Sequence, residues 1–252
     1  SYKGPKESVY SVVESFVYQD STTIVNAVNG RSLFIKIALS APGAAVPAVT
    51  ALTALATGAD GSAPVLADYT TGFAKLNGAP VSIVLNCDFM SLAAAQALET
   101  YVEGRGDVVG VHNSPQGMSL ATLASTYGVM IKQKSFMAGY RAWGKVDDLF
   151  GGFIDVPLMG HVIGAGYIRK NVQQGGFPWV APAGVETSLR GVYELYDPLY
   201  SDGELNQIVK DINFNPVMFV PGYGFIVRTS RTMSSLAKYK SIHVRRMTNW
   251  II

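Results

Sequence analysis

Three consecutive stretches decide the architecture: Val81-Ser-Ile-Val-Leu-Asn-Cys87, then Ser91-Leu-Ala-Ala-Ala-Gln-Ala-Leu-Glu-Thr-Tyr-Val-Glu103, then Asp107-Val-Val-Gly-Val111. The first and third read as short apolar strands. The second reads as a helix that opens on Ser91 as N-cap and closes at Gly104. Strand, helix and strand at this spacing form a βαβ unit, whose right-handed crossover sets the two strands side by side and parallel. Downstream, Met118 to Tyr127 reads as a second helix stopped by Gly128 and Ser135 to Trp143 as a further strand. Pro157 to Asn171 reads as a helix with proline in its first turn, and Glu204 to Ile212 as a short helix. The fold class is α/β (α+β), a layered mixed sheet with flanking helices.

The start of the chain has a different texture. Val9 to Tyr18 is rich in Val, Tyr and Phe, and Thr22 to Val28 and Arg31 to Leu39 flank Asn29-Gly30, a strong hairpin signal. Leu33, Ile35 and Ile37 alternate with Ser32, Phe34 and Lys36, as in a strand with one buried face. Thr57-Gly-Ala-Asp-Gly-Ser-Ala-Pro64 is a loop. The expected organisation is a β-rich peripheral segment or domain part over 1–56 and an α/β core over 57–252. The uncharged run from Ile37 to Ala59 has the length to span a bilayer, but Pro42, Gly43 and Pro47 would leave backbone groups unsatisfied in lipid. It reads as a strand end, a loop and a short Ala-rich helix, so no membrane insertion is expected. No basic start followed by an apolar stretch marks a signal peptide.

Charged residues make up 15% of the 252 residues, against roughly 25% in an ordinary soluble domain, while hydrophobic residues reach 48%. Such a chain covers itself with Gly, Ser, Thr, Asn and Gln, or buries surface against copies of itself. The net charge of +2 imposes no global field that demands nucleic acid or anionic lipid. The single cysteine, Cys87, excludes an intrachain disulfide and sits in an apolar run, where it reads as a small core residue. The imbalance of charge is local. Ile212 to Ile252 contains six Lys/Arg and no acid, whereas Glu186, Asp197, Asp202, Glu204 and Asp211 precede it.

That basic end reads as a hydrophobic hairpin around Pro221-Gly-Tyr-Gly224, followed by a basic amphipathic helix from Tyr239. On helical spacing Val244, Met247 and Ile251 share a face flanked by Arg245 and Arg246, an arrangement suited to docking on an acidic protein surface. In a homopolymer, Arg231, Arg245 and Arg246 would meet Glu186 and Asp202, or Asp147-Asp148, of a neighbouring copy. The same basic residues, with Phe225, Tyr239 and Trp250 among them, also fit a single-strand nucleic-acid module.

Chemistry finds little support. His112, His161 and His243 are far apart, and none has a second His or Cys at ligand spacing, so no metal site is assigned. Gly164-Ala-Gly166 lacks the third glycine of a dinucleotide loop, Arg169 standing there, and Gly222-Tyr-Gly224 fails likewise at Val227. No Gly-x-Ser-x-Gly elbow and no phosphate-binding Gly-Lys-Ser/Thr loop occurs. Asp147-Asp148 reads as a solvated loop. No catalytic residue and no cofactor is assigned, although a dispersed Ser-His-Asp set leaves an α/β hydrolase as an alternative.

Four blocks, in order, resemble the tail sheath proteins of contractile bacteriophage tails. They are Thr57-Gly-Ala-Asp-Gly-Ser-Ala-Pro64 with Ala67-Asp-Tyr69, Val156-Pro-Leu-Met-Gly-His-Val-Ile-Gly164, Phe177-Pro-Trp-Val-Ala-Pro-Ala-Gly184, and the terminal hairpin with Arg228-Thr-Ser-Arg-Thr232 and Val244-Arg-Arg246. The resemblance implies a subtilisin-like layered core without subtilisin's catalytic residues. It further implies a structural, non-enzymatic subunit that polymerises helically around a tail tube and contracts to drive it through a host envelope. Implied partners are other copies of itself, the tail tube protein, and baseplate and tail terminator proteins, with no nucleic acid. The implied location is the virion tail, assembled in the host bacterial cytoplasm. Sheath subunits continue past the Arg-Arg helix into a C-terminal domain, and link neighbours through extended arms. The resemblance therefore implies that these 252 residues are a fragment.

Overall fold

The computed structural model describes residues 14–17, 20–39, 62–86, 89–148, 151–175, 179–197 and 200–251. The chain divides into two units, Ser1–Ser62 and Ala63–Ile252. The strand expected at Val9–Tyr18, the stretch 40–61 and Cys87 lie wholly or largely outside the described residues.

The larger unit is built on the expected βαβ core. Strand β1 (Ile83–Leu85), helix α3 (Leu92–Arg105) and strand β2 (Val109–Asn113) follow one another, and β1 pairs parallel to β2 with Ile83 opposite Val109. Ser91 caps α3 by accepting a hydrogen bond from the Ala94 amide at 3.2 Å. The helix runs past Gly104 and stops at Gly106, whose φ of 77° is the left-handed conformation that ends helices. Helix α4 (Leu120–Tyr127) repeats the plan with Ser119 as its cap. Replacing Ser91 with alanine is expected to cost about 1 kcal/mol, read as a shift of the urea unfolding midpoint with unchanged slope.

The main sheet has the order β1-β2-β3-β7-β8, where β3 is Met137–Arg141, β7 Phe214–Val220 and β8 Gly224–Val227. The first four strands are parallel, and β7 turns back antiparallel into β8 as the terminal hairpin. Alternation along the strands divides the core between the two faces. Met137 and Phe214 pack on one face with Leu98, Val102, Leu123, Tyr127, Ile208 and Ile212. Val111, Ala138, Tyr140 and Val217 pack on the other with Met159, Val162, Ala165 and Tyr167. Helices therefore cover both faces, α3, α4 and α2 (Leu66–Lys75) lying over the first.

A second sheet has the order β5-β4-β6, formed by β4 (Trp143–Asp147), β5 (Phe153–Pro157) and β6 (Val192–Leu195), all antiparallel. Pro157 thus ends an edge strand opposite Trp143 and does not open a helix. The helix begins at Met159, as α5 (Met159–Val162), a π-helical stretch (Ile163–Arg169) and α6 (Lys170–Gln173). Near the end of the chain, α7 (Asp202–Asn206) continues as a π stretch to Asp211, and α8 spans Ile242–Ile251.

The smaller unit corrects the hairpin expectation. Thr22–Val28 is not a strand but part of helix α1 (Ser21–Asn29). Asp20 supplies the reason: its Oδ1 accepts from the Thr23 amide at 2.8 Å while its own amide donates to Thr23 Oγ1 at 2.9 Å. This reciprocal cap outweighs the β-branched preference of the residues that follow. Asn29 is an anchor and not a turn, its side chain donating to the Ile37 carbonyl and accepting from the Ile37 amide, both at 2.7 Å. Arg31–Leu39 forms no ladder among the described residues, and Leu33 and Phe34 are exposed. Glu14 accepts from the Leu33 amide and Ser32 Oγ, which holds its carboxyl below the usual range.

Candidate functional site

The segment after β8 is fixed by one polar side chain inside an apolar strand. Asn215, buried in β7, accepts from the Arg231 amide at 2.6 Å and from Thr229 Oγ1 at 3.0 Å. Its amide nitrogen donates to the Gly139 and Arg231 carbonyls at 2.9 and 2.7 Å. Arg231 then pairs with Ser241 in an antiparallel bridge, and the Ile242 amide donates to the Ser230 carbonyl. The first turn of α8 is thereby set beside the Arg228–Arg231 segment.

Between these pieces lies an open cleft of about 480 Å³, lined by Ala181, Ala183, Gly184, Arg228, Thr229, Ser230, Arg231, Lys240, Ser241 and His243. Three cations and a histidine face it, with no carboxylate among the described residues that line it. The start of α8 adds the positive end of a helix dipole. Burial pushes the His243 pKa down. A neighbouring groove of about 460 Å³ shares Arg228 and Thr229, and is bordered by Asp202.

Helix α8 buries within the subunit the two arginines expected to face a neighbouring copy. Ile242, Arg245, Arg246 and Asn249, at i, i+3, i+4 and i+7, are buried, whereas Met247 and Ile251 of the expected apolar stripe are exposed. Aromatic rings make this possible. The Arg245 guanidinium lies 3.5 Å from the Phe136 ring centroid and 4.6 Å from that of Tyr239, and Arg246 lies 5.1 Å from that of Tyr167. Asn249 donates to the Val108 carbonyl at 3.1 Å. Arg245 Nε and Nη2 and Arg246 Nη1 are buried without hydrogen-bond partners among the described residues, and burial lowers both guanidinium pKa values.

The acidic candidates are spread over other elements. Asp147, at the end of β4, accepts from the Tyr193 hydroxyl at 2.7 Å, and the Asp148 amide donates to the Gly152 carbonyl. Glu186 pairs with Lys170 at 3.0 Å, and Asp202 is exposed in the first turn of α7. Within the chain the structure brings Asp202 and Arg228 to one groove. It places no carboxylate within ion-pair distance of Arg231, Arg245 or Arg246 among the described residues.

The histidines stand in separate environments. His112, buried in β2, has Nε2 3.2 Å from the Tyr127 hydroxyl and Nδ1 3.5 Å from the Asn86 amide nitrogen. The Tyr127 hydroxyl donates to the Met90 carbonyl at 2.6 Å, so its oxygen is left to accept from His112 Nε2–H. Nδ1 then accepts from Asn86, and the network suits a neutral ring. Burial pushes the His112 pKa down to about 3. His161 is half-buried beside Arg169 and Arg190 in a groove of about 350 Å³. Gly164 and Gly166 lie within the π-helical stretch, not at a strand-to-helix turn. No group of three His, Cys, Asp or Glu able to hold a metal occurs among the described residues. No helix among them is long and apolar enough to cross a membrane.

No protein-family model and no curated protein matches this sequence. Solved structures do. A chain of the anti-feeding prophage baseplate in the contracted state shares 21% identity at a TM-score of 0.56, over 72% of this chain and 50% of that one. A chain of the PVC sheath complex of an extracellular contractile injection system, contracted, shares 21% identity at 0.54, over 71% and 48%. A chain of the contracted anti-feeding prophage helical sheath shares 18% identity at 0.51, over 73% and 49%. The likeness establishes a shared fold, and this chain spans about half the length of those it matches.

Proposed function

We propose that this chain is part of a structural subunit of a contractile sheath, and not an enzyme. The observation that carries the reading is the shared fold with sheath chains of contractile injection systems, which agrees with the order of the four sequence blocks. The subunit would polymerise helically around a tail tube, extended and metastable, and contract to drive the tube through a cell envelope. Identical subunits joined by heterologous contacts form open helices, and two packings of similar energy separated by a barrier supply the trigger. Partners would be further copies, the tube protein, and baseplate and terminator proteins, in a phage tail or a phage-like particle assembled in the bacterial cytoplasm.

In this reading residues 57–252 form the sheath core and residues 1–56 a peripheral part. The contact between copies would use Arg231 on one side and Asp147, Asp148, Glu186 and Asp202 on the other. Arg245 and Arg246, within a turn of His243, would add positive potential from inside the subunit. Negative-stain microscopy of the full-length protein is expected to show tubes or stacked rings. Dispersed single particles at every salt and protein concentration would overturn the reading.

A further inference from the structure

Half-buried and buried cations of the larger unit normally have a partner. Arg105 pairs with Asp107, Arg141 with Asp197, Lys145 with Glu194 and Lys170 with Glu186, while Arg169 donates to the carbonyls of Glu186 and Ser188. Among the described residues of this unit, such cations with neither an ion pair nor a side-chain hydrogen bond are Arg231, Lys240, Arg245 and Arg246, all within one run of sixteen residues, the last two resting on aromatic rings. Two of them, Arg231 and Lys240, line the cleft described above, with Arg228 beside them. Partly desolvated like charges held together without a counter-charge are unfavourable, because each loses water and gains no anion.

Exposed carboxylates without an ion pair are present elsewhere on the same unit, at Asp155, Asp202 and Asp211. We propose that the Arg228–Arg231–Lys240 cleft is a socket that receives a carboxylate-bearing segment of a second copy of this chain. Charge complementarity selects that occupant, since each copy carries an unpaired basic cleft and unpaired surface acids. A volume of about 480 Å³ has room for an acidic side chain and part of the main chain that bears it. The Ser241 hydroxyl flanks the cations, so a carboxylate would find a hydrogen-bond donor beside the charges. The proposal rests on the sheath reading for its setting and refines which surface makes the contact.

The test is carbodiimide coupling, which joins an amine directly to a touching carboxylate, on a mixture of ¹⁴N- and ¹⁵N-labelled full-length protein. Mixed-isotope cross-links at Lys240 are the expected result. Charge reversal in R231E/K240E, and the milder R231Q/K240Q, should raise the critical concentration for assembly by at least about tenfold, as for a reversed interfacial charge pair. Thermal melts confirm that each variant folds. Polymers that form with Lys240 linked only within its own chain, or not linked, and unaffected by either variant, would overturn the socket and leave the sheath reading standing. Mixed-isotope links at Lys240 in a protein that forms no tubes or rings would support the socket and remove the sheath reading.

Discussion

Lowering the pH from about 7.5 to about 5 is expected to remove about 2 kcal/mol of folding stability, and about 4 kcal/mol by pH 3, through His112 alone. The unfolded chain takes up a proton on this imidazole near its ordinary value of 6.5, whereas burial holds the folded-state value at about 3. Between those limits the unfolded state binds more protons, so stability is full above 6.5 and declines as the pH falls. The geometry explains why the folded chain refuses the proton. Nδ1 faces the Asn86 amide nitrogen, a donor, and a second N–H there would meet no acceptor. Burial lowers the pKa of His161 and His243 as well, which adds to the same slope. Urea unfolding at several pH values checks this. In His112→Gln the slope should flatten by roughly 1.4 kcal/mol per pH unit between pH 6 and 4. An unchanged slope would show that the pH sensitivity lies elsewhere.

The sequence carried the parts of the fold that are local. Ser91 announced the start of α3 and Gly128 the end of α4, and the apolar runs around Val84 and Val111 announced the parallel pair, because caps and crossover length are properties of neighbouring residues. The second sheet was missed. Phe153–Pro157 is five residues long and ends in proline, which suits an edge strand but resembles a helix start. The hairpin signal at Asn29-Gly30 lost to a cap nine residues earlier at Asp20. Spacing in the sequence puts Arg245 and Arg246 at a contact between copies, whereas the fold buries them. Spacing alone gave no sign that Phe136 and Tyr167, from two distant segments, would join Tyr239 in offering rings to Arg245 and Arg246. Of the candidate contact residues, Arg231 lines a basic cleft, which the run of cations in the sequence did foreshadow. What holds that cleft, Asn215, was visible only as a polar residue inside an apolar strand.

Phe214→Ala is expected to destabilise the protein by about 3–5 kcal/mol, the largest single-residue effect anticipated here. Phe214 is fully buried, its ring tilted against Tyr127 at a centroid distance of 5.3 Å. It also covers Gly139, its partner across the β3–β7 pair. A methyl group on Gly139 would come within 2.6 Å of the Phe214 ring. Neither side can give way, because both lie in the middle of the sheet with helices over the face. Gly139→Ala alone should therefore cost about 1–3 kcal/mol through overpacking. The two substitutions should not add. In the Phe214→Ala background the new methyl enters vacated space, so the double variant should be at least about 1 kcal/mol more stable than the sum predicts. Urea unfolding of the four proteins in this cycle measures the coupling directly. Additivity within about 0.5 kcal/mol would mean that the ring does not fill the space above Gly139. The result also bears on the basic cleft, since Phe214 immediately precedes the Asn215 that holds the Arg231 backbone. A strand loosened at Phe214 should relax that clamp and blur the cleft before the fold is lost.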